Sequence, residues 1–216
     1  MQSDNTQLEI TNYLRERQIR WNFIPPNAPN FGGLWEAAVK SAKRHLIKVI
    51  GNSHLTFEEM STILSSIESI LNSRPLLCIS SDPNDYSYLS PGHFLIGGPI
   101  NAFPEVDLSD VNMNRLTRWQ VLQQMQQHFW TRWSEEYLNT LQQRQKWREA
   151  KGPQLLVGQL VLMKQIGFPP MQWAMSRIVK IYQGFDKVAR TALVKTKEGA
   201  FTRPISRLAI LPLELI

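Results

Sequence analysis

At Gly152-Pro153 the hydrophobic rhythm of this 216-residue chain changes, and that single switch limits what it can fold into. Upstream, Leu116, Trp119, Leu122, Met125, Phe129, Trp133, Tyr137 and Leu141 recur every three or four residues. They predict one long helix from about Asn114, spanning roughly 45 Å if unbroken. Downstream, short apolar and β-branched runs occupy 155–164, 173–182, 190–196 and 201–208. Gly167-Phe168-Pro169-Pro170, Gln183-Gly184 and Lys197-Glu198-Gly199 separate them, the pattern of short strands and tight turns found in a small barrel. The expectation is an α+β chain of more than one domain.

The first hundred residues read as helices around one strand. Thr6 to Gln18 is an amphipathic helix, and Ile19 to Ile24 alternates Ile19, Trp21 and Phe23 with Arg20 and Asn22 as a half-buried strand does. Three prolines and two glycines then force a loop up to Gly33, and a helix runs from Leu34 to Ile50, ending at Gly51. Thr56 and Glu59 have capping-box spacing and open a further helix, which Arg74-Pro75 stops. Its expected buried stripe is Phe57, Met60, Leu64, Ile67 and Leu71. Residues 76–113 read as loop and connector, with Asp82 and Asp85 as turn formers and Arg74 as a brace on the preceding helix.

Charge is divided unevenly. Residues 1–114 carry 8 Lys/Arg against 12 Asp/Glu, and residues 115–216 carry 16 against 6, so the second half is net +10 in a chain of net +6. A cationic half is the electrostatic footprint of a polyanion binder, nucleic acid first. From Leu155 onward Lys164, Arg177, Lys180, Arg190, Lys195, Arg203 and Arg207 are candidate phosphate contacts, with Lys187 and Lys197 among them. Phe168, Trp173, Tyr182, Phe185 and Phe201 are interleaved, available for stacking if exposed. For Trp173 and Tyr182 a place in the barrel core is the expected one. Cys78 is the only cysteine, which excludes an intrachain disulfide and a thiolate metal cluster and fits a reducing compartment. No stretch has the roughly 20 apolar residues of a membrane span, and the start has no signal-peptide core, so an intracellular chain with no membrane partner is expected. His45, His54, His93 and His128 are scattered without ligand spacing and read as surface or capping residues.

One helix face carries the candidate chemistry. With Glu36 at zero on a wheel of about 100° per residue, Lys43, Lys40 and Arg44 fall within an arc of roughly 100°, opposite Ala38, Ala42, Leu46 and Val49. Glu36 is a hard-oxygen ligand for Mg²⁺ or Mn²⁺, and the three cations would hold a phosphodiester beside it. Charge spacing alone favours a solvated face with a Glu36–Lys40 pair in the i, i+4 order. The proline- and glycine-rich loop before it, Asn27-Ala28-Pro29-Asn30-Phe31-Gly32-Gly33, favours the site reading, because an ordinary helix face does not need it. No serine nucleophile elbow, P-loop or dinucleotide glycine pattern is present.

The stretch from Phe23 to Glu36 resembles the last part of the integrase core of Pao/BEL-type LTR retrotransposons. Leu71-Asn72-Ser73-Arg74-Pro75-Leu76 and Leu89-Ser90-Pro91-Gly92-His93-Phe94-Leu95-Ile96-Gly97 look like further core segments. Val157-Gly158-Gln159-Leu160-Val161-Leu162-Met163 and Thr202-Arg203-Pro204-Ile205-Ser206-Arg207-Leu208 look like the terminal β domain. The resemblance implies the C-terminal part of a ribonuclease-H-like core over 1–104, a helical connector over 105–153 and an SH3-like β-barrel over 154–216. It implies a parent activity of metal-dependent DNA strand transfer, with Glu36 as catalytic metal ligand and Lys40 and Lys43 on the element's DNA end. DNA and other integrase subunits are the implied partners, and the nucleus the implied place. Two further aspartates belong to such a core. Either both precede residue 1, leaving this chain without activity or bound metal of its own, or Asp4 supplies one. A non-catalytic, host-adopted DNA-binding protein and a protein-interaction barrel are the rival readings.

Overall fold

The computed structural model describes residues 4–19, 32–80, 82–103, 105–142, 155–164, 167–185 and 188–211. The chain divides into two compact units, 1–41 and 42–216. The first holds helix α1 (Asp4–Arg15) and the beginning of α2 (Gly33–Ile50). The expected strand, Ile19 to Ile24, and the loop up to Gly33 lie outside the described residues apart from Ile19, Gly32 and Gly33, the last of which already belongs to α2.

In the second unit, α2 ends at Gly51, whose φ of +54° suits a residue without a Cβ. Helix α3 (Phe57–Asn72) opens on the expected capping box: the Thr56 amide donates to the Glu59 carboxylate at 2.8 Å, and the Glu59 amide donates back to Thr56 Oγ1 at 3.3 Å. The buried stripe of α3 is not the expected one. Ile63, Ile67 and Ile70 are buried, while Phe57 is 84% and Leu64 48% exposed. Both stripes satisfy helical spacing and share Ile67, so the choice belongs to the partner helix.

That partner is α5 (Arg118–Thr140), shorter than the expected helix and capped by a Thr117/Gln120 box. A 3-10 turn, Met113–Arg115, precedes it. Val121, Leu122, Met125, Phe129, Trp130 and Trp133 of α5 form one core with the three α3 isoleucines and Met171. The expected connector is thus the central helix of the larger unit, and the expected divisions after 104 and 153 both fall inside that unit. Trp119, by contrast, is exposed.

Between α3 and α5 the chain makes a small hairpin, β1 (Leu77–Cys78) with β2 (Tyr88–Leu89), and a short helix, α4 (Pro91–Ile96). The Ser90-Pro91-Gly92-His93 motif has a local explanation. The Ser90 amide donates to His93 Nδ1 at 3.0 Å, and a Cβ on buried Gly92 would lie 2.7 Å from Ile100 Cγ1. The irregular stretch that follows borrows its partners from α5. Gln124 donates to the carbonyls of Leu108 and Val111, both at 2.7 Å. Gln127 accepts from the Leu108 amide and donates to the Val106 carbonyl, both at 2.8 Å. Two buried amide side chains thereby satisfy backbone groups that no strand or helix serves.

Strands β3 (Leu160–Met163), β4 (Met175–Gln183), β5 (Ala189–Thr196), β6 (Gly199–Pro204) and β7 (Leu208–Ile210) form an antiparallel sheet in the order β6-β5-β4-β3-β7. A 3-10 turn, Ile205–Arg207, leads into β7. Among the described residues β6 and β7 do not pair, so the expected closed barrel is here an open five-stranded sheet, and the class is α+β. One face packs Val161, Met163, Ile178, Ala192 and Val194 with Ile205 and Leu208. On the other, Leu160, Leu162 and Ala209 receive Leu138 of α5.

Trp173, in the β3–β4 loop, joins helices to sheet. Its ring meets Trp130 edge-on at 4.8 Å and Tyr137 at 5.6 Å, and its Nε1 donates to Ser73 Oγ at 3.2 Å. The Tyr137 hydroxyl donates to the Pro75 carbonyl at 2.5 Å, and burial raises its pKa to about 12. Because the folded-state pKa lies above the ordinary value near 10, the folded protein keeps a proton that the unfolded chain gives up first. Stability is therefore expected to be intact below pH 10 and to fall between pH 10 and 12. Denaturant melts at pH 9 and pH 11.5 should show this, and Tyr137→Phe should remove most of the loss. Tyr88, whose phenol burial also shifts upward, contributes in the same direction. An equal alkaline loss in Tyr137→Phe would refute the assignment.

Candidate nucleic-acid interface

The helix face read as the metal and DNA site is α2. Glu36 stands in its first turn, where the helix dipole favours an acid, and Glu36, Lys40 and Lys43 are all exposed. Arg44 departs from the expected arrangement. Its guanidinium pairs with Glu136 on α5, which also meets His45 Nε2 at 2.8 Å. His45 is 6% exposed and presents its ring edge-on to Phe129 at 6.1 Å, so it is a core residue and not the surface residue expected. The remaining expected roles are local. His93 caps α4, Arg74 donates to the Leu71 carbonyl at 2.6 Å, and Asp82 and Asp85 accept from the amides of Asn84 and Ser87, both at 2.8 Å.

Among the described residues no group of three His, Cys, Asp or Glu side chains is placed to hold a metal. Asp4 opens α1, and the described donors do not amount to a two-metal centre.

The sheet cations fall into distinct groups. Arg177 is the clearest correction. It is 6% exposed, and its guanidinium donates to the carbonyls of Gly158 at 2.7 Å, Asp82 at 2.8 Å and Asp85 at 2.7 Å. A buried arginine committed to three carbonyls ties the 82–85 loop to β4 and has little left for a phosphate. Lys164 is half-buried and donates to Asn139 and, at 2.8 Å, to Gln142. Desolvation holds its pKa below the usual lysine range, with the Arg207 charge acting in the same direction. Lys164 therefore braces β3 against α5.

Lys180, Lys195, Arg190 and Arg207 are exposed, and Arg203 is half-buried. Register divides them between the faces of the sheet: Lys180 stands opposite Leu193 and Lys195 opposite Arg177, whereas Arg203 stands opposite buried Ala192. The Lys180 ammonium lies 5.4 Å from the centroid of the Tyr182 ring, and the Arg203 guanidinium 5.2 Å from that of Phe201. Tyr182, expected in the core, is exposed beneath that lysine. Lys195 donates to Asn84 Oδ1 at 3.1 Å and keeps an exposed head. Cations over exposed rings on a sheet surface can neutralise phosphates while the rings offer stacking faces.

No helix among the described residues is long and apolar enough to cross a membrane. No curated protein matches the chain. Residues 117–211 are similar to a family of unknown function (DUF5641), a span that starts at the α5 cap and ends just past β7, and so takes the central helix and the sheet together.

Proposed function

We propose that this chain binds nucleic acid through the cationic surface of its sheet, without sequence preference, as the C-terminal part of a Pao/BEL-type integrase. The observation that carries the reading is the sheet surface itself. Lys180 and Lys195 on one face, Arg203 on the other and Arg207 in the turn before β7 keep solvent-accessible charges in a half of the chain that is net +10. The strand order β6-β5-β4-β3-β7, with a 3-10 turn before the last strand, supports an SH3-like reading of the sheet. The exposed Glu36, Lys40 and Lys43 on α2 support the integrase reading, in which Glu36 would ligate Mg²⁺ or Mn²⁺ and the lysines would hold a DNA end. DNA as the ligand implies work in the nucleus, beside other integrase subunits.

Two-metal strand transfer needs several carboxylates, of which this reading assigns Glu36 alone to the chain. A DNA-binding protein without catalysis is the second reading, and the surface cations serve it equally.

Titrating the full chain with two unrelated duplexes at several salt concentrations tests the proposal. Equal affinity for both is expected, falling with salt by several units of log–log slope, about 0.9 for each phosphate neutralised. Arg203→Ala or Arg207→Ala should each remove about one such contact, weakening both duplexes alike. Salt-independent binding would count against nucleic acid and for a protein-interaction sheet. Incubation of a labelled duplex with Mg²⁺ or Mn²⁺ tests the carboxylate assignment. With Glu36 alone no nicking is expected on either reading, whereas nicking abolished by Glu36→Gln would make Asp4 a second ligand and decide for the integrase.

A further inference from the structure

A cleft of about 490 Å³ opens beside β6, where the sheet meets the β1–β2 hairpin and the β3–β4 loop. Five rings line it: Tyr86, Tyr88, Phe168, Trp173 and Phe201. Its volume lies within the range of about 300–1,000 Å³ that small-molecule sites occupy. One wall is fixed, because Trp173 is held by Trp130, Tyr137 and its bond to Ser73. Phe168 is also anchored, its carbonyl accepting from Trp130 Nε1 at 2.9 Å. Phe201 stands exposed on the edge strand and forms the outer flank.

Charge decides between the ligands that aromatic walls can take. A caged alkylammonium wants an anionic or neutral rim. Here Lys197 and Arg203 outnumber Glu198, and Arg203 already lies against the Phe201 ring. Flat apolar walls beneath a cationic rim fit a planar base carrying a phosphate.

We propose that this cleft takes an unpaired nucleobase, stacked against Phe201 and the inner rings, with Arg203 and Lys197 meeting its phosphate. The inference rests on the nucleic-acid reading above and adds to it that one site prefers a single-stranded nucleotide to a duplex.

The test uses the full chain, a short oligothymidylate, a blunt duplex, and a duplex whose single-stranded overhang carries 2-aminopurine. The wild type should change the fluorescence of the overhang base on binding. Phe201→Ala should weaken binding to the single strand and the overhang about tenfold or more, the scale of losing a base–aromatic stack. Blunt-duplex affinity should fall much less, because paired bases stay stacked on one another and offer Phe201 no free face. Phe201→Leu keeps the apolar bulk without the π face and should show the same split if the alanine variant folds poorly, while Phe201→Trp should tighten the single strand. Parallel losses for single strand and duplex, or no loss for either, would overturn the cleft while leaving the duplex reading intact. Failure of the wild type to bind any of the three probes would overturn both. A trimethyllysine peptide that binds and is lost in Phe201→Ala would replace the base with a cationic side chain.

Discussion

Phe129→Ala is expected to cost about 3–5 kcal/mol, the range for truncating a fully buried phenylalanine. Phe129 has no exposed surface and lies where α3, α5 and the buried ring of His45 converge, stacked on Trp133 at 6.5 Å. The hole it leaves borders rigid rings that cannot collapse into it. Set against the roughly 5–15 kcal/mol that holds a typical domain together, that is a large share of the whole. The control is Trp119→Ala on the same helix, a residue 59% exposed that should change stability by about 0.5 kcal/mol or less. Chemical denaturation of both variants, followed by circular dichroism, makes the comparison. A free-standing connector helix would show two small and similar effects, and that outcome would remove α5 from the core.

Arg177→Met should be comparably damaging, about 3–5 kcal/mol, because hydrogen bonds to a charged donor contribute about 1.5–3 kcal/mol each and these three are coupled. Methionine fills much of the stem's volume but leaves the carbonyls of Gly158, Asp82 and Asp85 without their donor. Lysine is a poor substitute, since one ammonium cannot reproduce the planar fork that reaches two segments at once. The DNA titration then separates two kinds of cation. In Arg177→Lys, assayed below its melting temperature, the salt slope should match the wild type although stability has dropped. In Arg203→Ala and Arg207→Ala the slope should fall although stability has hardly moved. A reduced slope in Arg177→Lys would return that residue to the nucleic-acid surface.

Much of the local architecture was legible because it depends on neighbours in sequence. The Thr56/Glu59 box, the stop at Gly51, the brace from Arg74 to Leu71 and the Asp82 and Asp85 turns each involve residues no more than four apart. The change of period near Gly152-Pro153 likewise announced helices followed by strands. The site was less legible. Arg177 and Arg203 look alike in a list of cations, and only register and burial show that one clamps a loop while the other borders a cleft. Tyr86 and Tyr88 sit in a stretch with no periodic signal, and they join Phe168 and Phe201 only through the packing of the hairpin against the sheet.

By itself, the sequence determined the order of long helices before strands, the caps and turns, and the concentration of positive charge after residue 114, because these follow from spacing, propensity and composition. The short β1–β2 hairpin and α4 within 76–113 carried no such signal. Tertiary structure alone decided which stripe of α3 is buried, that α5 is a core helix, that Gln124 and Gln127 serve the 106–111 backbone, and which cations face water. The physical reason is that burial and long-range hydrogen bonding belong to pairs of elements. Two stripes on one helix can satisfy the same helical period, and the free energy that chooses between them resides in the surface they meet.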